Sequence, residues 1–166
     1  MADIDLLYSS RAHAAHNSLA ELEILVASLD NNAHAGISGF LWRVGDTYFQ
    51  ALRGPEEAIT ELVEKLHEDT RHSGLKILMR RATPKGQPPF PWAMGYDDAT
   101  ARVLGLDQTP EDLDPREAVA LFDVMLRKTL DGSDRLPDFA YSRHDGETSA
   151  EYKERLLTLL TREWLG

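Results

Sequence analysis

An α+β fold of the ferredoxin-like kind is what this 166-residue chain predicts: a βαββαβ sheet with an extra strand and two helices on one face, followed by two C-terminal helices. Three observations carry the prediction. Ile4, Leu6 and Tyr8 recur with period two, the spacing of a strand, and Gly36–Val44, Thr47–Arg53 and Leu75–Met79 also read as strands. Between them lie two stretches whose apolar residues recur at helical spacing. A tight Gly45-Asp46 turn joins the middle pair of strands into a hairpin.

The elements follow in order. In the first strand Ile4, Leu6 and Tyr8 share a face. Ser18 and Glu21 then form a capping box, and Leu19, Leu22, Leu25, Val26 and Leu29 line a helix expected to end near Asp30-Asn31-Asn32. After the hairpin, Gly54-Pro55 opens a second helix with Pro expected at its first position, and Ile59, Leu62, Val63 and Leu66 carry its stripe to about Asp69. Four prolines between Pro84 and Pro91 require a loop, and Trp92–Tyr96 is expected as an edge strand. In this topology the first and third strands are neighbours, so Tyr8 and Gln50 are expected side by side on the helix-covered face. Asp114-Pro115 with Glu117 starts an amphipathic helix carrying Val119, Leu121, Phe122, Met125 and Leu126. Thr148 with Glu151 is a second capping box, ahead of a stripe of Tyr152, Leu156, Leu159, Leu160, Trp164 and Leu165.

Composition narrows the function. Eighteen Lys and Arg against 28 Asp and Glu give a net charge of −10, which argues against direct nucleic-acid binding. No apolar run has the roughly 20 residues a membrane span needs. There is no cysteine, hence no disulfide, thiolate nucleophile or cysteine-held metal, and no other pattern suggests a metal site. The N-terminus lacks a signal-peptide pattern, so a cytoplasmic protein is expected.

Two features depart from a generic domain. Tyr8 and Gln50 are polar on a face that should be buried, where an unpartnered group costs about 1–3 kcal/mol. Either they satisfy each other and nearby backbone, or they contact a buried polar ligand. Lys65, Arg71, His72, Lys76, Arg80, Arg81 and Lys85 concentrate positive charge in an acidic chain. That cluster could meet phosphates or could be a solvated face.

The segments Leu7-Tyr8-Ser9-Ser10-Arg11-Ala12, Asn31-Asn32 with Gly36-Ile37-Ser38-Gly39, Phe49-Gln50-Ala51-Leu52-Arg53-Gly54-Pro55, Asp69-Thr70-Arg71-His72 and Trp92-Ala93-Met94-Gly95 together resemble the BLUF family, blue-light sensors that use FAD. The resemblance covers about residues 3–97 and divides the chain into a photosensor, 1–97, and an acidic linker with a helical extension, 98–166. It implies non-covalent FAD between the two helices, with Asn32 on the polar edge of the flavin ring and Asn31 close by. Gln50 would lie between flavin and Tyr8, Ile24 and Leu66 would sandwich the ring, and Lys65, Arg71 and His72 would face the ribityl and phosphate end. Trp92 and Met94 match the last-strand pair whose placement is thought to report the signalling state. Light-driven electron and proton transfer between Tyr8 and FAD would then switch the hydrogen bonds of Gln50.

Two positions depart from that family's pattern. Arg53 stands where Glu is usual, and Leu29 stands where many members have a basic residue. The resemblance implies a photoreceptor that is not itself an enzyme, signalling through the last strand and C-terminal helices to a downstream protein or within a homo-oligomer, a dimer or larger. A ferredoxin-like interaction module without photochemistry and a flavin-dependent redox enzyme are the alternatives.

Overall fold

A computed structural model of the chain describes residues 2–13, 27–28, 31–32, 34–44, 46–87, 95–97, 113–131, 146–148, 150–151, 154–155 and 157–158. Its centre is a five-stranded sheet: β1 (Asp3–Ala12), β2 (Ser38–Val44), β3 (Thr47–Pro55), β4 (His72–Ala82) and β5 (Gly95–Asp97). The strand order β4-β1-β3-β2-β5 puts β1 and β3 side by side. Four strands pair antiparallel, and β5 joins the β2 edge in parallel. This is the expected ferredoxin-like arrangement with its extra strand. Helix α1 (Glu56–Glu68) connects the parallel strands β3 and β4 across β1. Helix α2 (Pro115–Asp131) packs on β4, β3 and β2.

Several local expectations hold for visible reasons. The hairpin closes at Val44 and Thr47. Asp114 caps α2 by accepting from the Glu117 N–H at 2.9 Å. The box at Thr148 and Glu151 closes in both directions, at 2.8 and 3.2 Å. Other boundaries move. Pro55 is the last residue of β3 and the N-cap of α1, with ψ 133°, and is not the first helical residue. The helix before β2 does not stop at Asn31-Asn32: residues 31, 32 and 34 are helical. It ends at Gly36, whose φ of 72° lets the Ile37 N–H turn back to the Asn32 carbonyl at 2.9 Å. Strands β1 and β4 outrun their apolar alternation because pairing across the sheet extends them. The capping box at Ser18, the apolar face from Leu19 to Leu29, Ile24, Trp92, Met94, and most of the linker and last helix lie outside the described residues.

The core is one cluster. It joins Leu6, Leu7, Phe40, Phe49 and Leu52 of the sheet, Ile59 and Val63 of α1, and Ala118, Leu121, Phe122 and Met125 of α2. Helix α2 is therefore built into the sheet domain's core. One close approach positions the Asn32 turn: a Cβ on Gly54 would lie 2.9 Å from the Gly36 carbonyl oxygen and 3.1 Å from the Ile37 Cα. Only glycine lets that turn rest on the end of β3.

Candidate functional site

Antiparallel pairing of β1 and β3 sets Tyr8 directly opposite Gln50 and Leu6 opposite Leu52. Alternation along both strands then puts the two polar side chains on one face. Tyr8 is 4% exposed and Gln50 5%. The Tyr8 hydroxyl donates a hydrogen bond to Gln50 Oε1. Of the two readings of this pair, mutual satisfaction is therefore present in the structure. Burial pushes the phenol's pKa far above its ordinary value, and the charge of Asp69 and the neighbouring Tyr48 push the same way. Tyr8 therefore holds its proton at neutral pH.

Two other polar side chains with buried atoms are balanced differently. Asn32 is 2% exposed, and its side-chain amide nitrogen has no hydrogen-bond partner. Its backbone carbonyl ends the preceding helix, so the residue is held while its amide stays unanswered. His72 is half-buried at the start of β4, and neither ring nitrogen has a partner. Burial lowers its pKa below the ordinary histidine value, outweighing the opposing pull of Asp69, so the ring stays neutral near pH 7. Buried donors are nearly always satisfied in native proteins. Orphaned polar atoms on two separate segments are what a missing polar ligand leaves behind, and they fit a cofactor with a hydrogen-bonding edge.

The turn into β4 is built by Asp69. Its carboxylate accepts from the Arg71 backbone N–H at 2.9 Å and from the Arg71 guanidinium at 2.6–3.0 Å. The hydrogen bonds from Arg71 hold Asp69 below the ordinary carboxylate range, against a smaller opposing effect of burial. Next to it, His13 contacts the Thr70 carbonyl at 3.1 Å and the Ser73 hydroxyl at 2.8 Å. A shift of register between Leu7 and Tyr8 pairs Tyr8 with Ile77, skipping Leu78, and re-aims the strand at the site. Leu66 packs against the core from α1. Asn31 and Lys65 are exposed. A cleft of about 290 Å³, lined by Ser9, Ser10, Arg11, Thr47, Ser73 and Gly74, opens towards the C-terminal end of β1.

The basic cluster is not one site. Arg71 pairs with Asp69 and Arg80 with Glu56. Arg81 turns to the opposite face, where its Nε donates to Asp5 at 3.1 Å and its Nη2 to Asp123 of α2 at 3.1 Å. Arg53, the residue standing where Glu is usual, makes a two-pronged pair with Asp5 at 2.7 and 2.9 Å. Those two side chains are 2% and 0% exposed. Linear reading missed Asp5 altogether, because a lone Asp in a strand looks like a solvated position. Its place within an otherwise buried run, Ile4 to Ser10, is the signal that could have found it.

A ferredoxin-like sheet with a buried, hydrogen-bonded Tyr–Gln pair, and with unanswered buried polar atoms on Asn32 and His72, fits a domain that holds a polar cofactor. The family described as sensors of blue-light using FAD matches residues 4–95, over half of the chain, and the protein belongs to that family, the BLUF domains. FAD is the cofactor by which the family is defined. Among solved structures, the photo-activated state of BlsA is similar at 26% identity and TM-score 0.64, covering 75% of this chain and 94% of that one. The dark state of BlrB, a BLUF protein, is similar at 27% identity and TM-score 0.63, covering 80% and 97%. The Klebsiella pneumoniae BlrP1 manganese/cy-diGMP complex matches at 25% identity and TM-score 0.52, over 78% of this chain but 33% of that longer one. No curated protein matches the chain significantly. No helix among the described residues is long and apolar enough to cross a membrane, and no group of three or more potential metal ligands is found among them.

Proposed function

We propose that this protein is a blue-light photoreceptor whose switch is the Tyr8–Gln50 pair. The observation that carries the reading is the buried Tyr8 hydroxyl bonded to Gln50 Oε1, supported by a buried Asn32 amide nitrogen that has no partner. FAD, when bound, supplies the light absorption and an excited state able to oxidise a phenol. Asn32 would hold the polar edge of the ring, with Asn31 nearby. Ile24 and Leu66 would bracket the ring, and Lys65, Arg71 and His72 would serve the ribityl and phosphate end.

The chain's own residues do the switching. Tyr8 keeps its proton in the dark because burial disfavours the phenolate. That proton is donated to Gln50 Oε1, so this bond is the path at hand for it. Gln50 both donates and accepts. Turning its terminal amide by about half a turn exchanges the atom that meets Tyr8 and, with it, the bonds offered on the other side. No covalent bond to the cofactor is needed, which suits a chain without cysteine. Gln50 lies in β3, a central strand that also pairs with β2, the neighbour of β5. Trp92 and Met94 precede β5 in the chain and would report the change to the C-terminal helices and to a partner protein or second copy. The chain would act as a sensor and not as an enzyme.

The test is an absorption spectrum of the FAD-loaded protein in the dark and after blue light. The main flavin band should move slightly to the red and return in darkness. Tyr8→Phe should keep the flavin and lose the shift. A normal photocycle in that variant would remove Tyr8 from the mechanism, and failure to take up FAD would remove the reading itself.

A further inference from the structure

The two strands that carry the Tyr8–Gln50 pair carry a second direct cross-strand pair, Asp5 with Arg53. It lies an odd number of residues away on each strand, so it faces the other side of the sheet, roughly 10 Å along the strands. Asp5 is fully buried and takes four hydrogen bonds: Arg53 Nε at 2.7 Å, Arg53 Nη2 at 2.9 Å, Arg81 Nε at 3.1 Å and the Thr83 hydroxyl at 2.9 Å. Burial alone would raise its pKa. The bonds from Arg53, Thr83 and Arg81, with the charge of Arg53, prevail and keep it ionised. Helix α2 closes this cluster. The Phe122 ring, fully buried, lies 5.7 Å from the Arg53 guanidinium carbon and 5.3 Å from that of Arg81. Next to it Asp123 accepts from Arg81.

We infer that the Asp5–Arg53–Arg81 cluster is the seat of α2 and the point where a change at Tyr8–Gln50 reaches that helix. The inference rests on the photoreceptor reading and deepens it by naming the coupling contact. A buried, fully bonded ion cluster tolerates displacement poorly, because a lost partner leaves a charge unpaired in a dry site. Relative motion of β1 and β3 that relieves or strains the Tyr8–Gln50 bond is felt at once by Asp5 and Arg53, which the same ladder joins. Helix α2 meets the cluster at the Phe122 ring and at the half-exposed Asp123 carboxylate. Seated and loosened packings of α2 are the two states that the inference requires. Phe122 and Asp123 are positioning residues: neither lies on the Tyr8 face.

Hydrogen exchange of the α2 amides, measured on the full FAD-loaded protein in darkness and under blue light beside the absorption spectrum, tests this. In the wild type, light should speed exchange across Pro115–Asp131 by about threefold or more, as expected for release of a local unit. Phe122→Leu should keep the absorption shift, exchange faster already in darkness and lose most of the light–dark difference. Asp123→Asn, on a half-exposed side chain, should reduce the difference in the same direction. If the wild type shows the shift with unchanged α2 exchange, or both variants keep the full difference, the coupling role is wrong and the photoreceptor reading stands. If the wild type shows no shift, both fall.

Discussion

The two faces of the sheet solve the same problem in opposite ways. Each buries polar side chains where apolar ones would be cheaper. On the Asp5 face every charge is met: one carboxylate takes four donors, and an aromatic ring covers both guanidinium groups. On the Tyr8 face the tyrosine hydroxyl bonds Gln50, and elsewhere among the described residues the buried Asn32 amide nitrogen and both His72 ring nitrogens are left open. A saturated buried network is complete without a ligand and can act only by being disturbed. An unsaturated one is incomplete until something binds. The comparison therefore separates a mechanical contact from a binding site with no appeal to residue type, since both faces hold charged or amide groups.

The largest effect should come from breaking the saturated face. Asp5→Ala strands Arg53 in a buried site and should cost about 3–5 kcal/mol in denaturant unfolding near pH 7. Because the folded Asp5 sits below its ordinary value of 3.8, its contribution is fully present above that pH and is lost as the pH falls further. The gap between wild type and variant should thus hold from pH 7 to 5 and shrink below about 3.8. A cost under about 1 kcal/mol would mean the cluster is not the tight network described.

The unsaturated face should respond the other way. Asn32→Ala removes a donor that already lacks a partner, so the flavin-free protein should change stability by no more than about 1 kcal/mol. Retention of FAD, followed by dialysis or calorimetry, should fall about tenfold or more, the worth of one good hydrogen bond to a ligand. Equal loss of stability with and without FAD would show that Asn32 is structural and would erase the contrast.

The smallest effect marks the baseline. Arg80 and Glu56 pair with side chains 44% and 53% exposed, and Arg80→Ala should cost about 0–1 kcal/mol. A larger value in thermal unfolding would show that surface charge, and not burial, organises this sheet.

Much of this was legible in one dimension. Period-two alternation and the βαββαβ order were enough to set Tyr8 against Gln50, since backbone pairing in that topology leaves little choice. The caps at Asp114 and Thr148 were legible because each is a local exchange of hydrogen bonds over three residues. Where alternation is weak, at Ser9–Ala12 and His72–Ser73, the strands run further than the pattern because neighbouring strands supply the bonds. Arg81 looked like one member of a basic run suited to phosphates, and only its rung opposite Asp5 assigns it to the other face.

What the sequence alone determined, then, is the fold class, the central strand pair and the polar couple upon it. These follow from periodicity and capping, which act over a few residues. The tertiary structure alone decided which charges meet. Asp5 is joined to Arg53, Arg81 and Thr83, separated from it by 48, 76 and 78 positions, and Phe122 reaches the same place from a helix beyond the sheet. Such partners are selected by burial and by the geometry of a two-pronged guanidinium. Neither exists until distant segments have packed.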